Sequence, residues 1–150
     1  MTGYELATVN LPLDDFKKLV NSDNELDREC AALNPYLPQE LKEQLAADAV
    51  TRVRMYIAEN QSTGEAITVF LANDEDVNVR IAVAKNVNAS ETALRMLSTD
   101  KSDLVRKSVA CNVRTPFDAL EVMEKDLVYS IAEAATETIT TKRKYRGELI

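Results

Sequence analysis

Four arginines recur at a constant interval, and they are the side chains in this sequence best suited to bind an anion. They stand 26 residues apart, at Arg28, Arg54, Arg80 and Arg106. A guanidinium group donates parallel hydrogen bonds to a carboxylate or a phosphate, so a row of four could bind a phosphate or an acidic peptide. The same interval separates four aspartates, Asp48, Asp74, Asp100 and Asp126. The last three arginines each follow an aspartate by six residues, which favours the alternative, a structural ladder of Asp–Arg pairs between units.

Side chains that commonly perform catalysis are scarce. The sequence has no histidine, which excludes histidine-based acid and base catalysis, histidine metal ligands and histidine-dependent triads. The two cysteines, Cys30 and Cys111, are 81 residues apart, and neither belongs to a CxxC motif. A glycine-rich phosphate loop is also lacking. We therefore expect a protein that is not an enzyme, needs no cofactor or metal, and keeps both thiols reduced in the cytoplasm.

Further columns of similar residues keep the interval of 26 residues. One is polar, at Asn34, Asn60, Asn86 and Asn112. Another is β-branched, at Val53, Val79, Val105 and Ile131. Three polar and three apolar columns share this register without an insertion, which predicts a repeat protein whose units bury their apolar faces against one another. The asparagines are expected to cap helix ends rather than to do chemistry.

Each unit reads as two short helices. The stretch 74–86, DEDVNVRIAVAKN, places Val79 and Val83 on one helical face, with Asp74 as the candidate N-cap and Asn86 as a left-handed C-cap. A second, shorter helix is predicted to begin at prolines in three units, at Pro12, Pro38 and Pro116. The predicted fold is all-α, a right-handed α-solenoid of about five two-helix repeats of 26 residues.

One segment carries a family resemblance. The stretch 100–116, DKSDLVRKSVACNVRTP, resembles the leucine-rich repeat variant family, which is related to the HEAT repeats, and the match recurs in register over roughly residues 5–138. The resemblance implies an α-solenoid that serves as a scaffold or binds a partner. Two features differ from the family: the unit is slightly longer than usual, and nothing corresponds to the cysteine-rich, cluster-binding segment of the founding member. An iron–sulfur function is therefore not expected.

The candidate partner-binding residues lie on the face of the longer helix that is outside the core stripe. They are Met55, Glu59, Asn78, Ile81, Lys85, Leu104 and Lys107. Met55, Ile81 and Leu104 are apolar on an otherwise polar face, which is typical of a protein-binding groove with an apolar centre and a charged rim. The alternative is that these side chains contact the neighbouring unit.

Charge is distributed unevenly along a chain whose net charge is −7. Residues 1–50 sum to −6 and residues 101–150 to +1. We predict a solenoid domain over residues 1–139 and a basic, flexible tail over residues 140–150, which contains the sequence KRKYR. The sequence contains no apolar run long enough to span a membrane, so a cytoplasmic location is expected.

These observations favour a protein–protein interaction module or adaptor that binds its partner on the concave face of the solenoid. The alternative is a nucleic-acid-associated protein of the HEAT-like kind, using the basic carboxyl-terminal half and tail. The negative net charge disfavours the alternative, because neutralising phosphates requires a basic surface.

Overall fold

The structure is a computed structural model that describes residues 3–148, apart from the side chain of Tyr4. Within these residues the chain forms eleven α-helices and no β-strand. The helices are α1 (Gly3–Leu6), α2 (Leu13–Val20), α3 (Glu25–Leu33), α4 (Gln39–Ala46), α5 (Thr51–Glu59), α6 (Glu65–Leu71), α7 (Val77–Lys85), α8 (Glu91–Leu97), α9 (Asp103–Ala110), α10 (Phe117–Met123) and α11 (Tyr129–Tyr145). None of them is long and apolar enough to cross a bilayer.

Helices α2 to α11 form five consecutive pairs with a constant period. The second helices of the pairs begin 26 residues apart, at Glu25, Thr51, Val77, Asp103 and Tyr129. The first helices keep the same interval and begin at Leu13, Gln39, Glu65, Glu91 and Phe117. The predicted all-α solenoid of two-helix repeats is confirmed.

The helices lie in two layers, and within each layer a helix packs against the helix of the next repeat. We call the layer of α3, α5, α7, α9 and α11 the inner layer, and the layer of α2, α4, α6, α8 and α10 the outer layer. Neighbouring helices contact each other more extensively in the inner layer than in the outer layer. In helical solenoids the layer whose helices pack more extensively is typically the concave one.

The apolar columns of the sequence form the core between the layers. Val53, Val79 and Val105 have no exposed surface, and Ile131 is 1% exposed. Burying one such side chain contributes about 1.5–3 kcal/mol, and each unit contributes several. A single unit leaves this face uncovered, which explains why stacking and folding are coupled.

The details at the ends of α7 differ from the prediction. Its N-cap is Asp76, whose carboxylate accepts a hydrogen bond from the backbone N–H of Asn78 at 2.7 Å. Asp74 lies in the turn before α7 and does not cap the helix. Its carboxylate accepts a hydrogen bond from Arg54 instead. Asn86 follows the helix with φ −63° and ψ 122°, an extended conformation and not the left-handed one. The prolines do mark helix starts, as N-caps of α2, α4 and α10.

The expected tail is partly helical. The boundary between residues 139 and 140 falls inside α11, which continues to Tyr145. The reason is a contact with the last outer helix: Lys142 and Arg146 lie over the ring of Phe117, with their charged groups 4.8 and 4.6 Å from its centre. Cation–π contacts of this kind stabilise a helix end that lacks an apolar stripe.

Candidate binding surface on the inner layer

The arginine column pairs with the aspartate column at every unit junction. Arg54 Nε donates a hydrogen bond to Asp74 Oδ2 at 2.7 Å, and its Nη2 donates to Oδ1 at 3.0 Å. The same two bonds join Arg28 to Asp48, Arg80 to Asp100, and Arg106 to Asp126. Each guanidinium therefore binds the carboxylate 20 residues further along the chain in a bidentate geometry.

Each arginine also bonds back to its own unit. Arg80 Nη1 donates to the backbone oxygen of Asp74 at 2.8 Å. The carboxylate of its partner, Asp100, accepts a further hydrogen bond from the backbone N–H of Ser102 at 2.8 Å. The side chains of Arg80 and Asp100 are only 7% and 9% exposed. Arg54 and Arg80 are buried, Arg28 and Arg106 are half-buried, and each of the four is paired with a carboxylate, which favours the structural ladder over an anion-binding site.

The pairing shifts the titration of two of the aspartates. The hydrogen bond from Arg106 holds the pKa of Asp126 below its usual value, against an opposing effect of burial. Burial alone raises the pKa of Asp74, but hydrogen bonds from Arg54 and from the backbone N–H of Asp76 lower it below its usual value. Both shifts favour the charged pair at neutral pH.

The asparagine column forms a second ladder at the carboxyl-terminal ends of the inner helices. The buried side chain of Asn86 donates from Nδ2 to the backbone oxygens of Ala58 and Asn60 at 2.7 and 3.2 Å, both in the preceding unit. Its Oδ1 accepts from the N–H of Asn88 at 2.8 Å. Asn34, Asn60 and Asn112 make corresponding bonds. These amides bind backbone groups, and Asn60 Oδ1 also accepts from the hydroxyl of Ser62 at 2.8 Å, which is a structural role.

Two adjoining cavities form a groove on the open face of the inner layer, and we call them together the inner groove. The larger, of about 650 Å³, lies between α7 and α9, and the smaller, of about 290 Å³, lies between α5 and α7. Ile81, Lys85 and Val87 line both cavities and make the groove continuous.

All seven candidate partner-binding residues line the inner groove. The smaller cavity contains Met55, Glu59, Asn78, Ile81 and Lys85, and the larger contains Ile81, Lys85, Leu104 and Lys107. Leu104 is 66% exposed, whereas Met55 and Ile81 are half-buried and also pack against the core. Met55 and Ile81 therefore pack against the core and also line the groove, and the binding role of this face stays a prediction.

The turns after the inner helices add groove residues that sequence reasoning missed. Val87 and Val113 line the larger cavity and are 53% and 55% exposed. They are 26 residues apart, so the register could have revealed them as a column. Cys111 also lines this cavity, and its thiol is free and exposed.

The outer layer has an apolar strip of its own. Phe70, Met96 and Val122 are register mates on α6, α8 and α10, and they are 56%, 37% and 63% exposed. The 26-residue spacing of these three residues is visible in the sequence. Exposure shows that Met96 faces away from the core on the outer surface.

The side chain of Lys42 on α4 is buried. Lys42 is 3% exposed, and its amine donates to the backbone oxygen and the hydroxyl of Ser62 at 3.1 and 2.7 Å. Burial lowers the pKa of Lys42. Its register mates Thr68, Leu94 and Leu120 are all 0% exposed, so Lys42 occupies a buried position of the repeat and offers no accessible site.

Comparison of the chain with protein-family models, with curated proteins and with solved structures finds no match. The regular packing of the helix pairs makes it a helical repeat protein on structural grounds.

Proposed function

We propose that this chain is a non-enzymatic interaction module that binds a protein partner in the inner groove. The observation that supports this most is the continuity of the groove across α5, α7 and α9, where exposed and half-buried apolar side chains lie beside charged ones. An apolar centre with a charged rim is the usual composition of a protein-binding surface. The buried ladders hold the helices that carry it in a fixed register.

The finer family assignment belongs to the same proposal. The in-register Asp, Val-Arg and Asn positions, and the Asp–Arg pairs that they form, support membership of the leucine-rich repeat variant group of helical repeats. Free thiols at Cys30 and Cys111 support a reducing, cytoplasmic location.

The test compares two exposed apolar residues on opposite layers. Leu104→Asp and Val122→Asp add the same charge at positions that are 66% and 63% exposed, so neither should change the melting temperature appreciably. Leu104 serves better than Ile81, which packs partly against the core. Capture of partner proteins from a lysate of the native host is measured for each variant by quantitative mass spectrometry.

The proposal predicts that Leu104→Asp removes a specific set of proteins that Val122→Asp retains. If only Val122→Asp removed these proteins, the binding surface would lie on the outer layer. Capture that survives Leu104→Asp, but is lost at high salt and in an Arg143→Glu/Lys144→Glu variant, would favour the nucleic-acid alternative, because those two exposed cations lie outside the groove.

A further inference from the structure

The inner groove contains two lysines whose charges are not neutralised. Lys85 and Lys107 both line the larger cavity. Lys107 donates a hydrogen bond to the backbone oxygen of Ser130, and neither amine forms an ion pair with any residue in the described range 3–148. In this acidic protein most other cations of the inner helices have a carboxylate partner, as Arg52 does in Glu29. The two amines are therefore available to a ligand.

Four outer helices carry mostly negative charge. Helices α4, α6, α8 and α10 carry six exposed carboxylates and one exposed cation, Arg95, which is itself paired, whereas α2 carries the exposed Lys17 and Lys18. The carboxylates belong to Glu40, Glu43, Glu65, Glu91, Asp118 and Glu121. A negatively charged segment is thus repelled by these four helices and attracted to the two lysines on the inner layer.

The apolar residues of the larger cavity indicate that the ligand also carries apolar groups. Ile81, Val87, Leu104 and Val113 surround the two amines. A cavity of about 650 Å³ falls within the range of roughly 300–1,000 Å³ that accepts whole small ligands, so it has room for apolar side chains. A duplex backbone presents charge without apolar side chains and would leave these residues uncovered.

The groove also changes character along its length. Towards α3 the junction between α3 and α5 is lined by Leu33, Tyr56 and Glu59, and it contains no lysine. Glu59 and Lys85 both line the smaller cavity and Lys107 lines only the larger, so a carboxylate marks the α5 end, one amine the middle and one amine the α9 end. A bound segment therefore meets opposite charges at its two ends, which gives it one preferred direction.

We propose that the occupant of the inner groove is an acidic peptide segment of a protein partner. Its apolar side chain lies in the cavity between α7 and α9, and its carboxylates pair with Lys85 and Lys107. This inference rests on the proposed function and adds the chemical class of the partner to it.

The experiment selects ligands from random sequences, so the identity of the partner is not needed. A displayed library of random peptides is selected on the full-length chain, and the enriched peptides are synthesised and titrated by fluorescence anisotropy. The variants are Leu104→Asp, Lys85→Glu and, as the matched charge control, Lys125→Glu. Lys125 is exposed, follows α10 and forms no ion pair within the described residues, so it gives the same charge change outside the groove.

The proposal predicts that enriched peptides combine aspartate or glutamate with leucine, isoleucine or phenylalanine. Lys85→Glu should weaken their binding about tenfold or more, whereas Lys125→Glu should leave it within about twofold. Added salt should weaken binding to the wild type and have less effect on Lys85→Glu.

Other results separate failure of this inference from failure of the proposed function. Peptides that need Leu104 but are neutral or basic would overturn the acidic class and leave the groove as the binding site. Absence of any peptide that depends on Leu104 would overturn both. Tighter binding of a duplex oligonucleotide, lost with Lys85→Glu, would identify nucleic acid as the occupant, and concentration-dependent self-association lost with Lys85→Glu would identify a second copy.

Discussion

At the scale of single residues, burial and pairing give the ladder arginines a structural role. Arg80 has two side-chain bonds to Asp100 and two to the backbone of the preceding turn. A guanidinium held in this way stabilises the junction between two units, because removing it leaves a carboxylate in a buried site without its partner. The exposed pair of Arg95 with Asp118 has similar bonds and lies in water.

Replacement of Arg80 by alanine should therefore lower the free energy of unfolding by about 2–4 kcal/mol. Arg95→Ala, the control, should cost about 0–1 kcal/mol, since solvent screens its pair. Both are measured by urea denaturation. Equal effects would contradict the structural role of the ladder. An Arg80→Ala variant that melts like the wild type but loses partner binding would assign the ladder to function.

The lowered pKa of Asp126 predicts how stability depends on pH. The unfolded carboxyl, with a pKa of about 3.9, binds a proton at higher pH than the folded one, so the stabilisation is complete above that value. It is lost as the pH falls through the folded-state pKa. Asp126→Asn should thus be less stable than the wild type at neutral pH, and the difference should shrink in acid. Denaturation curves at several pH values measure it, and a constant difference would be inconsistent with the linkage.

At the scale of elements, each helix pair depends on its neighbour through the asparagine ladder as well as through the core. Asn86 binds two carbonyl groups of the preceding unit, and both bonds are buried. The last position of the column is Thr138, whose hydroxyl still donates to the backbone oxygen of Ala110 at 2.7 Å. The position therefore requires a donor in every unit.

Asn86→Ala should lower the free energy of unfolding by about 1–3 kcal/mol, because it leaves buried carbonyl groups without a hydrogen bond. The matched control is Asn73→Ala, which removes a single exposed bond from the turn after α6 to the backbone oxygen of Val69 and should cost under about 0.5 kcal/mol. Thermal melts of the two variants provide the comparison. If the two melting temperatures fall by the same amount, the inter-unit bonds do not carry the stability assigned to them.

The end of α11 should matter for stability as well as for charge. Lys142 donates to the backbone oxygen of Thr115 and, with Arg146, covers the ring of Phe117. Ending the chain after residue 139 should lower stability by about 1–2 kcal/mol. An Arg143→Ala/Lys144→Ala variant keeps these contacts and should melt like the wild type. A truncated chain of unchanged stability would show that residues 140–148 behave as a free tail.

The positions of the helices could be predicted from the sequence, whereas the details of their ends could not. The 26-residue register predicts the helix pairs, because identical columns must occupy equivalent places in a stack. Asp74 was misjudged as the N-cap of α7, since its carboxylate binds Arg54 of the preceding unit and the sequence shows spacing but not contact. Asn86 is the C-cap of α7 as predicted, but the sequence did not reveal its side-chain bonds to the preceding unit. Burial of Lys42 was equally hidden, because lysine is rarely found in a core.

The candidate surface was predictable to a similar extent. Helical periodicity identified the face that carries Leu104 and Lys85. It could not supply Val87 and Val113, which lie in turns beyond the helix, nor the absence of ion pairs around the lysines, which depends on the distances between units.

At the scale of the whole molecule, stacking converts small repeated features into two continuous surfaces. The inner layer presents an apolar groove with two lysines that form no ion pair within the described residues, and the outer layer presents an apolar strip among carboxylates. Both ladders are buried between these surfaces and hold the units in register. The central claim is that a partner lies on the inner layer.

The most direct test places a photo-crosslinking amino acid at position 104 or at position 122 of the full chain and identifies the attached proteins after irradiation in cells of the native host. Leu104 and Val122 are equally exposed apolar residues on opposite layers, so any difference reports the location of the partner. The account predicts a discrete protein adduct from position 104 that is absent with position 122 and is reduced by Lys85→Glu. The same adduct from position 122, with none from position 104, would contradict it.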